Sequence, residues 1–107
     1  MNLIELHKKE IEALCEKHKV DSLDLVGSFA KGTSNSESDV DFLVTFGDVD
    51  LYQYADNYFD FITSMETLFN RKVDLISEKA IDNPYLLKSF NRNRVKIYER
   101  RNPRLAA

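Results

Sequence analysis

Cysteine occurs once in the 107 residues, as Cys15, so the chain forms no internal disulfide and no multi-cysteine metal site. Histidine is almost as scarce. His7 and His18 are the only two, and both lie far in sequence from the acidic pairs that follow, which argues against a zinc site and for solvated or helix-packing roles. With three glycines and two prolines, no low-complexity linker interrupts the chain, and no internal repeat is visible. No run of about 18 apolar residues is present to cross a membrane. Met1 to Glu10 is charged and periodic, unlike a signal peptide, so a cytoplasmic protein without membrane contact is expected. The net charge of −3 gives no overall attraction to nucleic acid, and neither DNA nor RNA binding is expected.

What is present describes a folded domain. Hydrophobic residues make up 43% and charged residues 31%, which fits a globular chain. The length suits one domain, expected over residues 1–100, with a frayed tail at 101–107 that carries Pro103 and little apolar content. A domain of this size can hold a reaction centre but has little surface left to enclose an acceptor.

Hydrophobic periodicity orders the elements. From about Asn2 to Lys19, Ile4, Ile11, Leu14 and Cys15 share one helical stripe. Leu23 to Val26 reads as a strand running into the turn Gly27-Ser28, with a brief helical turn over Phe29 to Gly32 and an exposed loop over Thr33 to Ser38. Asp39 to Phe46 alternates as a strand, placing Val40, Phe42 and Val44 on one face and Asp39, Asp41 and Leu43 on the other. A helix follows, with Leu51, Tyr54, Ala55, Tyr58, Ile62, Met65 and Phe69 as its apolar stripe. Lys72 to Ser77 is a third strand. Asn83-Pro84 caps and opens a short helix to about Asn91, and Val95 to Tyr98 adds an edge strand. This order predicts an α/β (α+β) fold, a small mixed β-sheet covered by helices.

Three features carry chemistry. Asp39 and Asp41 point to one face of a strand with Cα atoms roughly 7 Å apart. Two carboxylates so placed repel unless a cation lies between them, and a hard divalent ion bound with substrate phosphates is one remedy. Two solvated aspartates at the start of a strand are the plain alternative. Gly27-Ser28 lets backbone approach a ligand closely and adds a hydroxyl donor, a corner suited to the phosphates of a nucleoside triphosphate, although Gly-Ser is also a common turn dipeptide. Lys31 could reach such phosphates or stand solvated. Asp74 interrupts the apolar run Val73-Asp74-Leu75-Ile76, where an unpartnered carboxylate is costly. On the neighbouring strand it would complete a three-carboxylate, two-metal site; facing water at an edge it would not.

Gly27-Ser28, a gap of ten residues and Asp39-Val40-Asp41 resemble the signature of the DNA polymerase β-like nucleotidyltransferase superfamily. Gly27 to Gly32, Val73-Asp74-Leu75-Ile76, Asn83-Pro84-Tyr85 and Val95 to Tyr98 are similar to its minimal nucleotidyltransferase (MNT) branch. The resemblance implies the polymerase β-like fold and transfer of AMP from ATP to a hydroxyl, with pyrophosphate released. It implies two Mg²⁺ ions held by Asp39, Asp41 and Asp74, with triphosphate held at Gly27 and Ser28. Lys31 stands where arginine is common, so bidentate phosphate contact is lost there. Stand-alone members are commonly paired with HEPN-domain proteins, which implies an antitoxin of the MntA type that adenylylates and neutralises a ribonuclease toxin. A non-catalytic antitoxin acting by docking, and an aminoglycoside-type enzyme acting on a small molecule, are the alternatives. Cys15 and the aromatics Tyr54, Tyr58 and Phe69 are read as core. The basic C-terminal residues Lys88, Arg92, Arg94, Arg100, Arg101 and Arg104 are read mostly as solvated surface, with partner docking or nucleotide steering as the alternative.

Overall fold

The chain is described by a computed structural model over residues 3–100; the expected tail at 101–107 lies outside the described residues. The predicted first helix is in fact two, α1 (Leu3–Leu6) and α2 (Lys8–Lys17), broken at His7, whose φ of −111° and ψ of 19° leave the helical region. The stripe survives the break, because Ile4, Ile11 and Cys15 are all buried. Strand β1 (Val20–Val26) passes directly into the short helix α3 (Gly27–Lys31), and β2 (Val40–Phe46) returns antiparallel to β1. Helix α4 (Tyr54–Phe69) leads to β3 (Val73–Ser77), which lies parallel to β2. Helix α5 (Pro84–Asn91) opens on Asn83, whose side chain accepts from the Tyr85 and Leu86 amides at 2.9 and 3.3 Å. Strand β4 (Val95–Glu99) then pairs antiparallel with β1 at the opposite edge. The sheet order is β3-β2-β1-β4, a mixed sheet as expected.

One face of this sheet makes the core. Leu23, Leu25, Val40, Phe42, Val44, Val73 and Leu75 meet Ile11, Cys15, Phe61, Met65 and Phe69 from α2 and α4. Each such fully buried aliphatic or aromatic side chain contributes about 1.5–3 kcal/mol relative to an exposed one. The α4 stripe holds at Tyr58, Ile62, Met65 and Phe69 and gains Phe61, but it starts later than the sequence suggests. Leu51 falls in a 3₁₀ turn, Leu51–Gln53, capped by Asp50, and Tyr54 and Ala55 in the first turn of α4, and all three are exposed, Tyr54 by 39%, while Phe61 joins Met65 and Phe69 on the buried face. Of the three aromatics read as core, Phe69 is buried and Tyr58 partly so. His18 packs inside, its ring tilted against Phe61 with 5.3 Å between centroids.

The second face carries Asp24, Val26, Asp41, Leu43 and Asp74. Leu43, expected beside the aspartates, is 1% exposed because α3 and the 3₁₀ turn Glu78–Ala80 both pack on β2. The carboxylates therefore stand at the end of a covered face rather than on an open one.

Candidate active site

Gly27 sits where β1 becomes α3 and takes φ +69°, a left-handed conformation that glycine adopts without strain. Its missing side chain also makes room: a Cβ there would meet the Asp41 carboxylate. The two halves of the signature, ten residues apart, are thus in van der Waals contact. Ser28 follows at the corner. Its backbone carbonyl accepts from the Thr33 amide at 2.9 Å, and its hydroxyl makes no hydrogen bond among the described residues. The corner closes at Gly32, with φ +76°. Lys31 is exposed and forms no ion pair among the described residues.

Asp41 on β2 and Asp74 on β3 are direct register partners across the parallel pair. Neighbouring strands lie about 4.8 Å apart, so two side chains on one face at one register come together. Asp39 immediately precedes β2, half-buried, on the same side of the chain as Asp41. The electrostatics record the crowding. Burial, then the charge of Asp74 and a hydrogen bond with it, then the charge of Asp39, push the Asp41 carboxyl up to about 6. Asp74 is felt further: after burial and Tyr54, its charge raises the Tyr58 phenol, whose hydroxyl donates to the Leu75 carbonyl.

Three carboxylates at one strand end suit a hard cation with oxygen ligands. Among the described residues no group of three or more acidic, histidine or cysteine side chains is arranged to hold a metal ion by itself. Asp41 and Asp74 meet, and Asp39 stands beside them. An arrangement open on one side fits an ion that draws part of its coordination from phosphate and water.

The model of the nucleotidyltransferase-domain family matches residues 7–97. The chain belongs to that family. Two Methanocaldococcus jannaschii proteins, each provisionally named a protein adenylyltransferase, are similar to this nucleotidyltransferase. One is 38% identical over 93 residues, covering 87% of this chain and 92% of the relative; the other is 32% identical over 96 residues, covering 90% and 92%. Among solved structures, one described provisionally as a minimal nucleotidyltransferase superposes with a TM-score of 0.72 at 25% identity, covering 89% of this chain and 95% of the other. A toxin–antitoxin crystal structure with AMP-PNP shares the fold at TM-score 0.67 and 18% identity, covering 88% and 74%. A Shewanella oneidensis structure of a tri-AMPylated HEPN toxin with an MNT antitoxin shares it at TM-score 0.62 and 16% identity, covering 90% and 72%. The chain is a minimal nucleotidyltransferase of the polymerase β-like superfamily, the fold shared with MntA-type antitoxins. No helix among the described residues is long and apolar enough to cross a membrane.

Two groups near the site escaped the sequence reading. Arg94, read as solvated surface, lies only partly exposed and donates to Asp24, to both Glu78 oxygens at 3.0 and 2.8 Å, and to Asn91 Oδ1 at 2.7 Å. Asp24 itself is 3% exposed on the site face, with Lys96 Nζ 2.9 Å from its other oxygen. The signal was present: Asp24 interrupts Leu23-Asp24-Leu25-Val26 as Asp74 interrupts its own apolar run. Lys88, Arg92 and Arg100 are exposed as read, and Arg101 and Arg104 lie outside the described residues.

Proposed function

We propose that this nucleotidyltransferase is Mg²⁺-dependent and transfers AMP from ATP to a hydroxyl on a partner protein, acting as the antitoxin of a HEPN-type toxin. The observation that carries the chemistry is the Asp41–Asp74 register pair set against the Gly27-Ser28 corner. Asp39, Asp41 and Asp74 would hold two Mg²⁺ ions, which neutralise charge on the phosphates and lower the pKa of the attacking hydroxyl. Gly27 admits the triphosphate beside Asp41, the Ser28 hydroxyl donates to a phosphate oxygen, and Lys31 adds a cation at the rim. The acceptor oxygen attacks the α-phosphorus, the bond to the bridging oxygen of the β-phosphate breaks, and pyrophosphate leaves. Asp74, at the strand edge, takes the hydroxyl proton.

The protein acceptor is supported by the names of the relatives and by the shared fold with antitoxins solved beside their toxins. It is also supported by the exposed apolar side chains of Leu51, Tyr52 and Phe59. The test is incubation of the protein with α-labelled ATP, Mg²⁺ and the product of the adjacent gene. Label on that neighbour is expected. No label, with tight binding that survives Asp39→Asn plus Asp41→Asn, leaves a docking antitoxin instead. Label on an added aminoglycoside points to a small-molecule acceptor.

A further inference from the structure

Arg71 lies between α4 and β3, three residues before Asp74, and belongs to none of the motifs. Its Nη1 donates to the backbone carbonyls of Asn35 at 3.1 Å and Ser38 at 3.0 Å. The same guanidinium lies over the Phe29 ring, with Cζ 5.1 Å from the centroid. These contacts bridge two segments. Phe29 directly follows Ser28 at the phosphate corner, and Ser38 directly precedes Asp39.

The loop that Arg71 grips is already braced within itself. The Asn35 amide donates to Ser38 Oγ at 2.8 Å, the Glu37 amide to Asn35 Oδ1 at 2.8 Å, and the Ser38 amide to the Asn35 carbonyl at 3.1 Å. Such a turn moves as one body, so anchoring two of its carbonyls fixes its far end, Asp39. Beside Arg71, the Lys72 carbonyl accepts from the Val40 amide at 3.0 Å, which ties the start of β2 to the same segment. Among the described residues no other hydrogen bond or ion pair links the exposed segment Thr33 to Glu37 to the β3 side of the site. A planar guanidinium can stack on a ring and donate in its own plane to two carbonyls at once, whereas a lysine ammonium, a point charge without a plane, cannot stack in this way.

We propose that Arg71 is a positioning residue for nucleotidyl transfer: by clamping the 33–38 loop against Phe29 it holds Asp39 in register with the Ser28 corner. This rests on the assignment of Asp39 to the metal and Ser28 to the triphosphate. Its consequence is energetic coupling, because metal and nucleotide bind cooperatively only while the two halves of the site stay aligned.

The coupling is measurable without an acceptor. The affinity for AMPCPP, an ATP analogue that cannot release pyrophosphate, is titrated with Mg²⁺ and again with EDTA, and the ratio of the two affinities is the readout. Coupling between sites commonly reaches 5–150-fold, so Arg71→Ala is expected to lower the ratio by about tenfold while changing the EDTA affinity less than about threefold. Arg71→Lys should recover part of the loss, since an ammonium can still reach the carbonyls. Circular dichroism at the titration temperature must show each variant folded, and a titration at 4 °C repeats the comparison under more stabilising conditions. An unchanged ratio in Arg71→Ala overturns the inference, as does a loss that disappears at 4 °C, which marks a purely structural role. Asp39→Asn separates the two levels. If it leaves the ratio of the wild-type protein intact, or if wild type shows no Mg²⁺-dependent binding, the site assignment itself falls and the inference with it.

Discussion

A methyl group on Gly27 would lie 2.2 Å from Asp41 Oδ2, well inside contact distance. Gly27 also holds φ +69°, where an L-residue is strained by about 1–2 kcal/mol. Gly27→Ala therefore meets two penalties at one atom. The carboxylate must swing away or the corner must open, and either separates the phosphate site from the acids. The expected outcome is a lower melting temperature together with a loss of at least about tenfold in affinity for Mg·AMPCPP. Gly32→Ala is the control: it shares the positive φ but meets nothing within 4 Å, so it should lower stability while leaving most of the binding.

The Asp41–Asp74 pair sets stability against function. Asp41 titrates at about 6 instead of 3.8, chiefly through burial and then through Asp74. Between those values the folded protein binds more protons than the unfolded chain, so the metal-free protein loses stability as pH rises from about 4 through 6. Asp74→Asn removes the repulsion while leaving the burial. The metal-free variant should therefore be more stable than wild type near pH 7, by a few tenths to about 1 kcal/mol once solvent screening of this half-buried pair is allowed for. Nucleotidyl transfer should meanwhile fall by at least about 10²-fold. A variant that melts lower and transfers normally would refute the pairing.

Most of this candidate site is legible in the sequence, and the reason is local. Gly27, Ser28, Asp39 and Asp41 are marked by chain turns and alternation, which act over neighbouring residues, and Asp74 by a charge inside an apolar run. Asp24 carried the same mark. Its partner Arg94, however, is 70 residues away, and no pattern in sequence pairs a buried acid with one basic residue among several. Arg71 was invisible for a related reason: it acts through backbone carbonyls, which every residue has. The α4 stripe starts later than its periodicity suggests because Leu51 lies in a 3₁₀ turn and Tyr54 and Ala55 in an exposed first helical turn, and periodicity does not report where a helix meets the sheet. Strand order followed from none of these signals, since β4 returns to β1 by a pairing that only the assembled sheet defines.

Cys15 should be chemically silent in the native protein. Burial, reinforced by Glu12 and Glu16, pushes its thiol up to about 12, so almost no thiolate exists at neutral pH and no reagent reaches the sulfur. Ellman's reagent at pH 8 should report under about a tenth of a thiol per chain over minutes without denaturant, and one per chain in guanidinium chloride. Rapid labelling of the folded protein would mean that α2 separates from the sheet far more readily than its packing suggests.

Asp24 and Arg94 supply the sharpest stability test. Asp24 is buried on the site face between Arg94 and Lys96, and Arg94 also ties Glu78 to the strand entering β4. Glu78 first, and then Asp24, raise the Arg94 guanidinium still further above its ordinary value, so its charge is permanent. Arg94→Leu leaves a desolvated carboxylate with only a half-exposed lysine for company, and a cost of about 2–4 kcal/mol is expected in chemical denaturation. Asp24→Leu frees the guanidinium to keep Glu78 and should cost less. The double variant removes both charges from the buried position and should be more stable than Arg94→Leu alone, giving a favourable coupling of about 1–3 kcal/mol in the cycle. Additive losses would mean that the two residues stabilise the sheet independently, and that the contact between them holds nothing together.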